Sequence, residues 1–307
     1  MAVWQEVSAV TNGARSKTAL VLAGGGSFGA VQAGMLHSLA AHGIVADMVV
    51  GSSVGSLNGA YYAGNPTLEG IGRLETIWRG LRRSDVFPVN WKAMLGFLVR
   101  RDFLVEPKGL RALIENNLTY RNLEDAKIPI HIVATDILTG GTVVLSTGFA
   151  VQAIIASAAI PVVFPPARFE DVYLVDGAIS SNTAVKVAVD QGARRLIVLP
   201  TGYACALSKP PAGAVASALH ALTLLIARQL LSELKELDGN SIEYFVLPPL
   251  CPLTGSPYDF SQSDALIDRA IKSTDKWIAE GGLDQPNVHV QLSIHRHSNQ
   301  KTIRSDR

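Results

Sequence analysis

The sequence predicts an α/β fold, a mainly parallel sheet with helices on both of its faces. Two observations carry this expectation. Apolar runs rich in Val and Ile alternate with helical patterns along most of the chain, as they do when strands are buried on both faces and joined by crossover helices. No internal repeat or low-complexity linker interrupts the alternation. With 307 residues, 48% of them hydrophobic, the chain can bury a full core.

In chain order, strands are expected at Thr18–Ala23, Ala46–Gly51, Ile130–Asp136, Thr142–Ser146, Val172–Asp176, Arg195–Pro200 and Glu243–Pro248. Helices are expected to begin near Gly29, Ser53, Thr67, Pro107, Phe149, Asn182, Ala214 and Ser261. Residues 17–282 read as one domain, between an N-terminal extension at 1–16 and a polar tail at 283–307. Between residues 78 and 108 the alternation stops, and "VFPVNWKAMLGFLVRRDFLVEP" mixes bulky apolar residues with Lys92, Arg100 and Arg101. That segment fits an inserted helix packed on the domain. The alternative is an amphipathic cap in contact with lipid, its basic residues at the rim.

Composition narrows the function classes. A formal net charge of +1 with no basic stripe gives no electrostatic reason to expect a nucleic-acid partner. Cys205 and Cys251 lack metal-ligand or redox spacing and read as thiols of a reducing compartment. The first residues show no basic region followed by an apolar core, so no signal peptide is expected. "AVASALHALTLLIARQLL", Ala214 to Leu231, is just long enough to span a bilayer but carries His220 and Arg228. Charges at a helix centre cost about 2.5–3.5 kcal/mol each on insertion, so a buried helix of a soluble, cytoplasmic protein is expected, with peripheral membrane contact left open.

Chemistry concentrates at three turns. The first, Gly24-x-Gly26-x-x-Gly29 in "LVLAGGGSFGAVQAGML", has the spacing of a dinucleotide-phosphate loop. That fold needs an acidic residue at the end of the next strand to hold the ribose. Here Asp47 stands at the strand's beginning, and the strand ends in "VVGSSVG". The second turn is Gly51-Ser52-Ser53-Val54-Gly55, a G-x-S-x-G between an apolar strand and a plausible helix. That setting exposes the central serine on a sharp turn. An acyl-transfer serine needs backbone donors for the oxyanion of its intermediate, and the glycine loop, on the same sheet edge, can supply them.

A base is also required. His131 lies in a strand pattern, His220 in an apolar helix, and His289, His295 and His297 in or near the tail; none has the turn that presents a catalytic imidazole. Asp176 in "YLVDGAIS" ends an apolar strand, and Gly177 lets the chain turn at once. The expectation is that Asp176 takes the Ser53 proton directly.

These pieces, in this order, resemble the patatin-like phospholipases: Gly24 to Gly29, Gly51 to Gly55 and Asp176-Gly177-Ala178, supported by "ATDILTGGTVVLSTG" and "ASAAIPVVFPP". The resemblance runs from about Lys17 to Pro200. It implies a three-layer α/β/α sandwich and a serine hydrolase of lipid acyl esters. Ser53 would be the nucleophile, Asp176 the proton acceptor, and the amides of Gly24, Gly25, Gly26 and Gly29 the oxyanion hole. Gly51, Gly55, Gly177 and Ala178 complete the motifs. No cofactor or metal is implied. Many members carry Arg or Lys before the last loop glycine, where this chain has Phe28. A neutral lipid ester, a lysophospholipid or a short-chain ester is therefore as credible a substrate as an intact phospholipid. Two rival functions are a non-catalytic lipid-binding protein of the same fold, which a serine-directed probe would leave unlabelled, and a nicotinamide-dependent oxidoreductase, which would bind NAD.

Overall fold

The computed structural model describes residues 16–87, 103–202, 213–237, 241–251 and 256–288, and single positions 210, 239, 253 and 292. Each expected strand forms: β1 (Thr18–Leu22), β2 (Met48–Ser52), β3 (Ile130–Asp136), β4 (Thr142–Leu145), β6 (Val172–Asp176), β7 (Arg195–Leu199) and β8 (Glu243–Val246). A three-residue strand, β5 (Ala167–Phe169), adds to them. The helices are α1 (Gly29–Ala41), α2 (Val54–Gly64), α3 (Leu68–Gly80), α4 (Arg83–Val86), α5 (Lys108–Asn117), α6 (Ala150–Ser157), α7 (Ala178–Ser181), α8 (Val185–Asp190), α9 (Ala214–Leu237) and α10 (Ser263–Ala279). The single helix expected near Asn182 is thus two short ones.

The sheet order is β5-β6-β3-β2-β1-β7-β8, with β4 also paired to β3. Strands β3, β2, β1, β7 and β8 run parallel, whereas β4 and β6 are antiparallel to β3. Alternate residues of the central strands feed two separate cores. Leu20, Leu22, Val49, Ile197 and Leu199 face one, with α1, α2, α3, α5, α6 and α10. Ala19, Val21, Met48, Val50, Leu196 and Val198 face the other, with α8 and α9. Helix, sheet and helix make three layers, and burial on both faces explains why these strands read as unbroken apolar runs.

Three expectations change. Among the described residues, no helix is long and apolar enough to cross a membrane. Helix α9 is not wholly buried, however: Leu230, Leu234 and Leu237 are buried in the second core while Leu225 is 65% exposed, because a helix at the surface buries one side only. Cys251 is disulfide-bonded rather than a thiol, since spacing along a chain does not report which loops meet in space. The third concerns Asp176. The fold class predicts a mainly parallel sheet, and the strand that ends in Asp176 departs from that majority: β6 is antiparallel to β3, with Ala134 opposite Asp176 and Asp136 opposite Leu174. β3 continues past the end of β2, where Ser52 pairs with Val133. β6 therefore runs back along that overhang and ends level with the serine turn. Within 78–108, residues 88–102 with Lys92, Arg100 and Arg101 lie outside the described residues. So do the extension at 1–15, Cys205, His289, His295 and His297, and the side chain of His220.

Candidate active site

The site grows from the register of β1 against β2. Leu22 pairs with Gly51, so the turns that follow these strands, the glycine loop and the serine turn, emerge side by side. Ser53 has φ 53 and ψ −125, a backbone conformation rare for a residue with a side chain and one that folds store at functional turns. Two contacts hold it. The Ser53 amide donates to Ser157 Oγ at 2.9 Å, and Ser157 Oγ donates onward to the Val133 carbonyl at 2.6 Å. The turn is also crowded: a Cβ on Gly55 would run into the Leu22 carbonyl, so the glycine lets α2 pass directly over β1.

Ser53 Oγ donates to Asp176 Oδ2 at 2.7 Å. Both residues are buried, 6% and 4% exposed, so water competes little for this bond. Asp176 Oδ1 accepts from the Ala178 amide at 2.8 Å, which fixes the carboxylate plane. Burial pushes the Asp176 carboxyl up from 3.8 to about 6, moderated by the hydrogen bonds from the Ala178 amide and the Ser53 hydroxyl. At neutral pH it remains mostly ionised and can only accept, which makes the serine hydroxyl the donor. A carboxylate with this basicity is suited to take a proton near neutral pH. Tyr258 stands close enough for the Asp176 charge to add to the upward shift that burial gives its phenol.

The glycine loop approaches the serine closely: a Cβ on Gly24 would lie 3.0 Å from Ser53 Cβ and would strike Asn182 Oδ1. Not all of its amides are free. Gly24 N donates to the Asn182 carbonyl at 3.2 Å and Ser27 N to the Pro257 carbonyl at 2.7 Å, while Gly29 N serves the carbonyls of Gly26 and Ser27. Among the described residues, the amides of Gly25 and Gly26 donate to no backbone carbonyl. Thr201 Oγ1 holds the Gly24 carbonyl at 2.7 Å. Helix α2, which Ser53 precedes as N-cap, adds the positive end of its dipole.

Gly26, Ser53 and Val54 open onto a narrow cavity of about 60 Å³ walled by Leu57, Trp78, Val86, Phe87, Phe164 and Phe260, among other apolar residues. Trp78, Val86 and Phe87 belong to the stretch where the sequence pattern broke down, and here they form cavity wall. Phe28 packs against the core. A larger cavity of about 230 Å³, beside Val246, Trp277 and Glu280, contains none of these groups.

The other sequence candidates fall elsewhere. His131 Nδ1 is bonded to Ser146 Oγ at 2.7 Å on the β3–β4 pair. Asp47 accepts from the Thr18 amide at 2.8 Å at the amino end of β1, too far along the sheet to meet a ribose at the glycine loop. Among the described residues, no three or more His, Cys, Asp or Glu side chains come together as they would to hold a metal ion. Sequence reasoning missed Ser157, Asn182 and Thr201, whose contacts are made across the fold; only Ser157 lay in a stretch already singled out, "ASAAIP".

The family model for patatin-like phospholipases matches residues 20–189, more than half of the chain. The chain belongs to the patatin-like phospholipase family. Among curated relatives, lysophospholipase NTE1 of Cryptococcus neoformans is 31% identical over 192 residues, covering 60% of this chain and 11% of that protein. Patatin-like phospholipase domain-containing protein 7 of Rattus norvegicus is 29% identical over 186 residues, 60% of this chain and 13% of that protein. This patatin-like chain thus spans little more than a tenth of the length of these relatives. Among solved structures, VipD from Legionella pneumophila aligns over 89% of this chain and 68% of its own, with TM-score 0.49 and 14% identity. Human GIVD cytosolic phospholipase A2, in complex with methyl gamma-linolenyl fluorophosphonate, aligns over 88% of this chain and 58% of its own, with TM-score 0.47 and 14% identity.

Proposed function

We propose that this patatin-like domain is a serine hydrolase of lipid acyl esters that works through a Ser53–Asp176 dyad. The observation that carries the reading is the 2.7 Å contact between Ser53 Oγ and Asp176 Oδ2. Ser53 Oγ attacks the acyl carbonyl carbon as its proton passes to Asp176 Oδ2. The carbonyl oxygen becomes an oxyanion beside the amides of Gly25 and Gly26, the members of the expected set that no backbone carbonyl of the described residues engages. Collapse of the intermediate expels the alcohol, which leaves with the proton from Asp176. Water then attacks the acyl-serine, again giving its proton to Asp176, and the acid is released as Ser53 regains its hydrogen. Every step uses side chains and amides of this chain, and the scheme requires no metal.

The apolar cavity at Ser53 suits an acyl chain. The names of the relatives make lysophospholipids the first substrates to test. A fluorophosphonate probe should label the wild-type protein and leave the Ser53→Ala variant unlabelled. Wild type should hydrolyse nitrophenyl esters and lysophospholipids, and the variant neither. Labelling or turnover that survives in Ser53→Ala would remove Ser53 from the mechanism, and a wild type that binds lipid without labelling would make this a binding protein.

A further inference from the structure

Beneath the glycine loop lies a closed polar network that the reaction scheme does not use. Gln32 on α1 donates from Nε2 to the Ala23 carbonyl, where the loop begins, at 2.8 Å, and to the Leu199 carbonyl at the end of β7 at 2.9 Å. Gln32 Oε1 accepts from Asn58 Nδ2 at 2.9 Å. The same nitrogen donates to the Gly29 carbonyl, where the loop ends, at 2.9 Å. Asn58 Oδ1 in turn accepts from Trp78 Nε1 at 2.9 Å. Gln32 and Asn58 are wholly buried and Trp78 is 2% exposed. Each amide hydrogen has its own acceptor, so turning either amide over would set carbonyl against carbonyl.

A fully satisfied buried network is rigid, and a half-satisfied one is costly. Asn58 sits on α2, the helix that Ser53 precedes. It grips the far foot of the loop directly and the near foot through Gln32. Trp78, at the end of the chain of bonds, shares the cavity wall with Gly26 and Ser53.

We propose that Asn58 and Gln32 are positioning residues that set the oxyanion amides against Ser53, and that Trp78 ties this frame to the cavity that receives the acyl chain. The proposal rests on the hydrolase reading above. Oxyanion donors act only over a narrow range of distance, and a misplacement of about 1 Å can cost about 100-fold in rate.

Two variants test it. Trp78→Phe keeps an aromatic ring in the cavity wall but removes the N–H and one ring of the indole; Asn58→Ala removes the hub. The readouts are kcat and KM for nitrophenyl butyrate, the pH midpoint of the rate, and inhibition by an octyl trifluoromethyl ketone, which adds to the serine as an oxyanion, against an octyl ether, which cannot. Asn58→Ala should lower kcat by about 10–100-fold with KM, pH midpoint and ether binding unchanged, and trifluoromethyl ketone affinity should fall by the same factor. Trp78→Phe should show a smaller loss of kcat and of ketone affinity relative to the ether, whose octyl chain meets the same altered wall, and the double variant should lose no more of that ratio than Asn58→Ala, as members of one unit behave. If Asn58→Ala fails to fold, the ratio of ketone to ether affinity in Trp78→Phe decides. Wild-type kcat in the folded variants, a loss confined to KM, or a kcat loss without loss of ketone affinity would overturn the proposal. Ser53→Ala separates the two readings. Turnover that survives in it defeats the hydrolase reading, whereas turnover lost there but intact in Asn58→Ala defeats only this one.

Discussion

Replacing Asp176 with Asn should make the folded protein more stable while stopping turnover. The side chains are nearly isosteric, and the Asn carbonyl can still accept from the Ala178 amide that now bonds Asp176 Oδ1. What disappears is a buried charge. In the folded chain the Asp176 carboxyl is held at about 6 against an ordinary 3.8, chiefly by burial. Between those values the folded protein keeps a proton that the unfolded chain has released. Stability therefore falls as pH rises through that window and stays reduced above it. At about 1.4 kcal/mol per pKa unit, the full cost above the window is about 3 kcal/mol. At about pH 4.5 only about 1 kcal/mol of it has developed. Urea unfolding followed by tryptophan fluorescence, for wild type and Asp176→Asn at about pH 4.5 and about pH 8, should show the Asn variant ahead at both and the gap widening by about 2 kcal/mol. A gap that stays constant, or an Asn variant less stable at the higher pH, would mean that Asp176 bears no such desolvation cost, and the link between burial and basicity would fail.

The same carboxyl should govern the rate: kcat/KM for a soluble nitrophenyl ester should rise about tenfold per pH unit below about 6 and level off above it, and a flat profile through that range would exclude Asp176 as the base. Ser157→Ala leaves the Ser53 amide and the Val133 carbonyl without their bonds, so stability should drop by about 1–3 kcal/mol and kcat should fall as the strained serine turn relaxes; urea curves and butyrate turnover check both. Ala158→Phe projects a ring into the apolar cavity, so long-chain esters should lose at least about tenfold more kcat/KM than nitrophenyl butyrate, and equal losses would place the acyl chain elsewhere.

Much of this site could be read locally. Ser53 stands out because a glycine-flanked serine between an apolar strand and a helix has few conformations open to it, and the structure gives it φ 53. Asp176 stands out as a carboxylate at the end of an apolar strand with glycine next. Its route to Ser53 was not legible. Nothing in "VYLVD" tells whether the strand runs with β3 or against it; only its pairing with β3 shows that it runs against it. Which loop amides are free also depends on distant partners, the carbonyls of Asn182 and Pro257. Gln32 and Asn58 read as polar residues in ordinary helices, and only packing shows both wholly buried and bonded to the two feet of the glycine loop.

The division follows from the range of the forces. Strand and helix positions, the sharp serine turn and the family motifs are written in short stretches, because steric limits on the backbone and the periodicity of burial act over a few residues. The antiparallel return of β6, the raised basicity of Asp176, the two amides that no described backbone carbonyl engages and the cavity beside Ser53 arise only when residues far apart in the chain are pressed together. Desolvation and hydrogen-bond competition belong to the packed molecule and to no segment of it.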